Sequence, residues 1–242
     1  MNPGMGKVAV IVQARMDSTR LPGKTMMDIV GKPMLAHVVE RLERVKAIQE
    51  IIVATSTRDS NETIIRFAVG YGVSIFVGSE EDVLDRYYKT AREYKAGVIV
   101  RITADCALID PQVVENIVHY FLGNDYDYVS NTLKRTFPDG LDVEVFSYSA
   151  LEKAWKEARL ASEREHVTPY IWKHPSRFEL ANVENEENYS QLRWVVDKEE
   201  DLEFVRQVYE HLYEKCHIFH MKDVLELLHK YPDLEKINQG TA

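Results

Sequence analysis

From Lys7 to Gln13 the chain reads K-V-A-V-I-V-Q, a β-branched run in which apolar and polar positions do not alternate. Such a run predicts a strand buried on both faces of a parallel sheet. A polar stretch follows, and then Leu35, Val38, Val39, Leu42 and Val45 recur at helical spacing behind Pro33, which suits the first position of a helix. The order then repeats. Apolar runs over 51–55, 74–77 and 97–103 predict strands, interleaved with helical patterns over 61–71, 83–94 and 112–122. Strands alternating with helices predict βαβ units, which build a parallel sheet with right-handed crossovers. Ligands of such sheets sit beyond the carboxyl ends of the strands.

The second half changes character. Strand patterns over 126–131 and 142–146 flank a polar loop with Pro138, Asp139 and Gly140, which suits a mixed sheet with an antiparallel strand. Helical patterns follow over 149–159 and 163–172, short strand patterns over 178–182 and 193–196, and two amphipathic helices over 199–215 and 222–231. No repeat or linker interrupts the series, so residues 1–242 read as one domain with the helices of 199–231 packed on it. The apolar stripes of those two helices suit either that packing or a homodimer interface.

Composition narrows the class. The chain has 242 residues, 45% hydrophobic and 29% charged, enough for a sizeable α/β core. No apolar run approaches the roughly 18 residues of a membrane span, and the first residues lack a signal peptide's apolar region, so a cytoplasmic location is expected. A net charge of −9 argues against a general nucleic-acid binder. Cys106 and Cys216 have no metal-type spacing and are expected to be reduced thiols.

Against that acidic background, residues 11–24 stand out: I-V-Q-A-R-M-D-S-T-R-L-P-G-K gathers Arg15, Arg20 and Lys24 where the first strand ends. Pro22 and Gly23 bend the loop, Ser18, Thr19 and backbone N–H groups add neutral donors, and the set suits a polyanion such as a triphosphate. It is neither a G-x-x-x-x-G-K-[ST] loop nor a G-x-G-x-x-G turn. A solvated basic loop is the plain alternative.

The run Q-A-R-M-D-S-T-R-L-P-G-K, followed by G-K-P-M-L, closely resembles the opening of cytidylyltransferases that activate acidic sugars, the acylneuraminate and 3-deoxy-manno-octulosonate enzymes among them. The likeness is greatest to the branch named for spore coat polysaccharide biosynthesis (SpsF type). It resumes at V-R-I-T-A-D-C-A-L-I-D-P, D-G-L-D-V-E-V-F, E-R-E-H-V-T-P-Y-I and V-D-K-E-E-D-L-E-F-V, and so spans nearly the whole chain. The resemblance implies a Rossmann-like three-layer α/β/α nucleotide-diphospho-sugar transferase fold with a mostly parallel sheet. It implies transfer of CMP from CTP to a sugar, an acidic one in the family, with release of pyrophosphate. Arg15 and Lys24 would then contact the phosphates with Ser18, Arg20 and Arg101 nearby, while Ala14 leaves room for the nucleotide.

Two strands are read as ending in carboxylates, at Asp105 and Asp197. A buried carboxylate is costly unless it is paired or bound to a cation, and Mg²⁺ favours a few carboxylates plus substrate phosphates. The resemblance makes Asp105 the principal Mg²⁺ ligand, beside Arg15 and Lys24 in catalysis, with Asp197 as the second. Asp105 as a turn residue, and Asp197 as the N-cap of the acidic helix start at 199–201, are the competing readings. Asp142 and Glu144 share one strand face, and Glu165 and His166 lie in a segment that the family places near the acceptor sugar. Where the family has proline after the metal aspartate, this chain has Ala107, which removes a φ restraint. Two other functions stay open: a glycosyltransferase using Asp125-Tyr126-Asp127 as a D-x-D motif, and a nucleotide-binding protein without turnover.

Overall fold

Seven strands order the molecule, and the unalternating run at residues 7–13 lies in the interior of their sheet, flanked on both sides. The computed structural model describes residues 6–239. Along the chain come β1 (Lys7–Gln13), a hairpin of β2 (Asp28–Ile29) and β3 (Lys32–Pro33), α1 (Met34–Leu42), β4 (Glu50–Ser56), α2 (Glu62–Tyr71), β5 (Ser74–Gly78), α3 (Val83–Glu93), β6 (Ala96–Thr103) and α4 (Pro111–Leu122). Then follow β7 (Tyr128–Ser130), β8 (Glu144–Ser147), α5 (Tyr148–Glu157), α6 (Ala161–His166), α7 (Pro169–Trp172), β9 (Leu180–Asn182), α8 (Glu199–Leu212) and α9 (Met221–Lys230).

The sheet order is β5-β4-β1-β6-β8-β7-β9. The first four are mutually parallel, β8 runs antiparallel to both β6 and β7, and β9 is parallel to β7. Alternate side chains of β1 enter two cores. Val8, Val10 and Val12 join residues of α1, α2, α4, α8 and α9 on one face, while Ala9 and Ile11 meet α3, α5 and α7 on the other. The result is the expected α/β/α sandwich with a mostly parallel sheet. Each fully buried Leu, Val, Ile or Phe contributes about 1.5–3 kcal/mol relative to exposure.

The C-terminal helices bury their stripes within the chain: Leu202, Val205, Val208, Leu227 and Leu228 all belong to the first core. Their apolar faces therefore carry no argument for a homodimer. Among the described residues no helix is long and apolar enough to cross a membrane. Cys106 is a buried free thiol and Cys216 an exposed one, as expected.

Two expectations fail for identifiable reasons. The helix read over 163–172 breaks at Val167, whose φ is +72°, and restarts with Pro169 at its first position. A proline inside a continuous helix would remove a backbone bond and clash with the preceding turn. The segment 193–196 is not a strand: its backbone bonds go to two different loops, Trp194 N–H to Asp139 O at 2.6 Å and Val196 N–H to Asp105 O at 3.0 Å. It makes a single bridge, Asp139 with Arg193.

That crossing depends on Gly140, whose φ is +110° and where a Cβ would lie 2.6 Å from both Trp194 C and Val195 N. Gly140→Ala is expected to lower unfolding stability by about 2–4 kcal/mol, measured by urea denaturation. On α1, Glu40 accepts hydrogen bonds from Lys32 at 2.5 Å, Tyr71 at 2.7 Å and Tyr213 at 3.2 Å. Burial works to raise its pKa, but these donors outweigh it and the value falls below 4.5. A depressed carboxylate stabilises above its unfolded pKa and loses that contribution as pH falls through the folded value. Glu40→Gln should therefore cost about 1 kcal/mol at neutral pH, and the difference from wild type should begin to shrink as the pH falls below the ordinary glutamate value of about 4.3 and vanish below the lower folded value.

Candidate active site

Parallel pairing sets Gln13 of β1 opposite Thr103 of β6, so the loops leaving these neighbouring strands emerge side by side at their carboxyl ends. The first carries the basic stretch. Gly23, at φ +77°, lets the loop fold back, with its N–H on Met16 O at 2.8 Å. Asn61, fully buried, accepts from Met16 N–H at 2.9 Å and donates to Ser56 Oγ at 2.6 Å, tying the loop to the end of β4. Thr25 Oγ1 donates to Arg15 O at 2.9 Å. Arg15 and Arg20 are exposed, Ala14 is buried in the core with its N–H on Ala54 O, and Ser18 Oγ accepts from Leu21 N–H at 3.4 Å.

Lys24 ends the loop as the first residue of a single turn of 3₁₀ helix and is buried. Its Nζ donates to Asp105 Oδ2 at 2.8 Å, Asp197 Oδ1 at 2.9 Å and Val196 O at 2.6 Å. Burial alone would lower the pKa of this ammonium; Asp105, and then Asp197, more than compensate and raise it. Asp197 is held below the ordinary aspartate value: burial would raise it, but Lys24, Arg193 and Arg20 prevail. Arg20 reaches Asp197 Oδ2 at 2.9 Å from the solvent side.

Asp197 is not the helix cap. Lys198 is the N-cap residue, and Asp201, third in α8, reaches back to accept from the N–H groups of Asp197 and Lys198 at 2.9 and 3.0 Å, which leaves the Asp197 carboxylate turned to Lys24. Arg193, absent from the sequence reading, sits behind it, with Nη2 3.0 Å from Asp197 and Nε 3.0 Å from Asp201. Its only sequence signal is the spacing of four and eight residues to the two aspartates.

The loop after Asp105 is equally fixed. Tyr209 Oη donates to Ala107 O at 2.7 Å, and the buried Arg41 donates to Ile109 O and Phe219 O, both at 2.6 Å. These bonds restrain the stretch around Ala107. Asp105 itself accepts from Thr103 Oγ1 at 2.5 Å.

Beside Asp105 opens a cavity of about 380 Å³ that Arg101, Asp142, Glu144, His166, Thr168 and Trp172 help to line. Arg101 pairs there with Glu144, which also accepts from Tyr128 Oη at 2.7 Å and Thr168 Oγ1 at 2.5 Å. Arg101 thus borders the cavity, apart from the exposed arginines of the basic loop. Asp142 precedes β8 yet shares the cavity with Glu144. Glu165 is exposed and does not line the cavity, whereas its neighbour His166 does. Asp139 and Trp172 line it as well, and sequence reasoning did not single them out. Asp125 and Asp127 precede β7, which runs in the same direction as β6 because both oppose β8, so the D-x-D letters lie at the amino-end edge, opposite the site. Asp127 there accepts from Glu179 N–H at 3.0 Å.

This geometry has relatives. The cytidylyltransferase family pattern matches residues 9–235. The chain is 31% identical to the spore coat polysaccharide biosynthesis protein SpsF of Bacillus subtilis, covering 95% of this chain and 97% of that one. It is 36% identical to an uncharacterized protein of Methanocaldococcus jannaschii, covering 97% and 95%. Among solved structures, a cytidylyltransferase from Leptospira borgpetersenii superposes with a TM-score of 0.90 at 34% identity, covering 94% of this chain and 96% of that one. The chain therefore belongs to the cytidylyltransferase family of CTP-using nucleotidyltransferases.

Proposed function

We propose that the protein transfers CMP from CTP to a hydroxyl of a sugar with release of pyrophosphate, assisted by Mg²⁺, as a step in making a surface polysaccharide. One observation carries the reading: Lys24 gathers Asp105, from the loop after β6, and Asp197, from the turn before α8, with exposed Arg15 and Arg20 on one side and a sugar-sized cavity on the other. The SpsF name of the Bacillus relative supports the polysaccharide role.

The donor set suits Mg²⁺. Two carboxylates converge on one cationic point, and no group of three or more His, Cys, Asp or Glu gathers into a fuller cage among the described residues. Mg²⁺ binds in that manner, through one or two carboxylates completed by phosphate oxygens and water. Asp105 and Asp197 would hold it, and when bound it polarises the phosphate and offsets its charge. The protein's own contribution is positioning and electrostatics, which is most of what phosphoryl-type transfer requires. The sugar oxygen forms a bond to the α-phosphorus as the bond to the bridging oxygen breaks, and the hydroxyl proton passes to solvent. Arg15, Arg20 and Lys24 face the charge that accumulates on pyrophosphate. Arg193 keeps Asp197 oriented, and Trp172, exposed at the cavity, offers a flat apolar surface to a sugar ring. Glycosyl transfer from a finished nucleotide sugar loses its motif, since Asp125 and Asp127 lie at the opposite sheet edge.

Pyrophosphate release from CTP in the presence of Mg²⁺ and a panel of sugars tests the reaction; release only of a nucleoside diphosphate from nucleotide sugars would overturn it. Asp105→Asn should reduce the rate about 10²–10³-fold with an unchanged circular dichroism spectrum, and an unchanged rate would remove Asp105 from catalysis. CTP with Mg²⁺ should raise the melting temperature more than UTP, ATP or GTP at equal concentration. Lys24→Met, which leaves two half-buried carboxylates without their shared ammonium, should cost about 3 kcal/mol in urea unfolding as well as activity.

A further inference from the structure

Val167, between α6 and α7, sits at φ +72° and ψ −58°, and across it the Thr168 N–H donates to His166 O at 2.9 Å. Those angles and that bond make a γ-turn of the rare, strained form. A β-branched residue at positive φ is a genuine outlier. Breaking a helix ahead of Pro169 does not require it, since glycine adopts positive φ without steric cost.

His166 and Thr168, on either side of Val167, both line the cavity beside Asp105, whereas the Val167 side chain is fully buried in the core that holds Leu84 and Tyr87 of α3. In a continuing helix, residues two apart point about 200° away from one another, and only one of the pair would reach the cavity. The Thr168 hydroxyl donates to Glu144 Oε1 at 2.5 Å, and Glu144 pairs with Arg101. The His166 ring has no hydrogen-bond partner among the described residues.

The turn is held at both ends. Arg164 Nη1 donates to Trp155 O at 2.8 Å and Nε to Asp82 Oδ2 at 3.0 Å, which fastens α6. On the far side, Ile171 N–H donates to Thr168 O at 2.8 Å. Strained backbone that its surroundings over-determine clusters at ligand sites.

We infer that Val167 is a positioning residue for the sugar: its turn sets the His166 imidazole and the Thr168 hydroxyl on one wall of the cavity before the sugar arrives. This role rests on the transfer reaction proposed above, which seats the sugar in that cavity. Val167 itself touches no ligand and acts through its two neighbours. A wall ordered in advance spares the sugar the cost of ordering it.

Amide hydrogen exchange on the unliganded full-length protein reads the turn directly. The Thr168 N–H should exchange about a hundredfold or more slowly than an unstructured amide, and exchange at the unstructured rate overturns the inference. Val167→Gly and Val167→Ala then separate positioning from a plain chain break. Both are compared with wild type on hexoses, hexosamines, hexuronic acids and ulosonic acids. Pyrophosphate release with CTP and Mg²⁺ gives KM and kcat, and saturation-transfer NMR in the presence of α,β-methylene CTP gives sugar binding. A turn closed about one time in ten raises the sugar's KM about tenfold, with kcat within about threefold and the thermal shift produced by CTP unchanged. Where the glycine variant lacks a folded circular dichroism spectrum, the alanine variant is read alone. An unchanged sugar KM in a folded variant overturns the inference, as does an equal loss of CTP binding or the binding of no sugar by the wild type. Sugar binding that weakens about tenfold in the variants, with no pyrophosphate release from any mixture, sustains it and overturns the transfer reaction instead.

Discussion

A single ammonium shared between two carboxylates is the constraint on which the site rests. Lys24 is buried, and the two aspartates it bridges come from loops after different parts of the fold. Two half-buried carboxylates brought together without a cation would repel one another and suffer from desolvation. With Lys24 between them, and Arg20 and Arg193 on the outer oxygen of Asp197, the negative charge is compensated before any substrate arrives. The supporting bonds from Arg41, Tyr209 and Asn61 lock the loops so that this meeting point is kept.

Around that point the protein handles charge in two ways. On the basic-loop side, guanidiniums are exposed and able to meet an anion. On the cavity side, Arg101 and Arg135 pair with Glu144 and Asp142 of the protein itself. A nucleotidyltransferase has to hold one strongly anionic substrate and admit a second, and a different arrangement of charge on the two sides helps to keep the two apart.

Much of this was legible in the residues. The unalternating run at 7–13 specified an interior strand because a strand covered on both faces leaves no position for polar side chains. The basic loop was visible because Arg15, Arg20 and Lys24 follow such a strand at once. The role of Asp197 was not, since V-D-K-E-E-D offers several carboxylates within one turn and only the backbone path decides that Asp201 reaches back to the helix start while Asp197 turns away. Val167 was hidden for a different reason. A β-branched residue at positive φ is disfavoured locally, and only the surrounding packing, with Pro169 two residues on, imposes it. The segment 193–196 has the composition of a strand, yet its bonding partners lie in loops that periodicity cannot see.

The bridge at Lys24 also orders events in time. Its three partners are separated from it by 81, 172 and 173 positions in sequence. Closing such long loops is an entropic cost met late, after local helices and neighbouring strands have formed. On a ribosome, β1, β4 and β6 can emerge and pair well before residue 197 leaves the exit tunnel, yet the ammonium still lacks two of its three partners. The charge cluster therefore comes into existence only when most of the chain is complete, and a partly made molecule has the sheet without it.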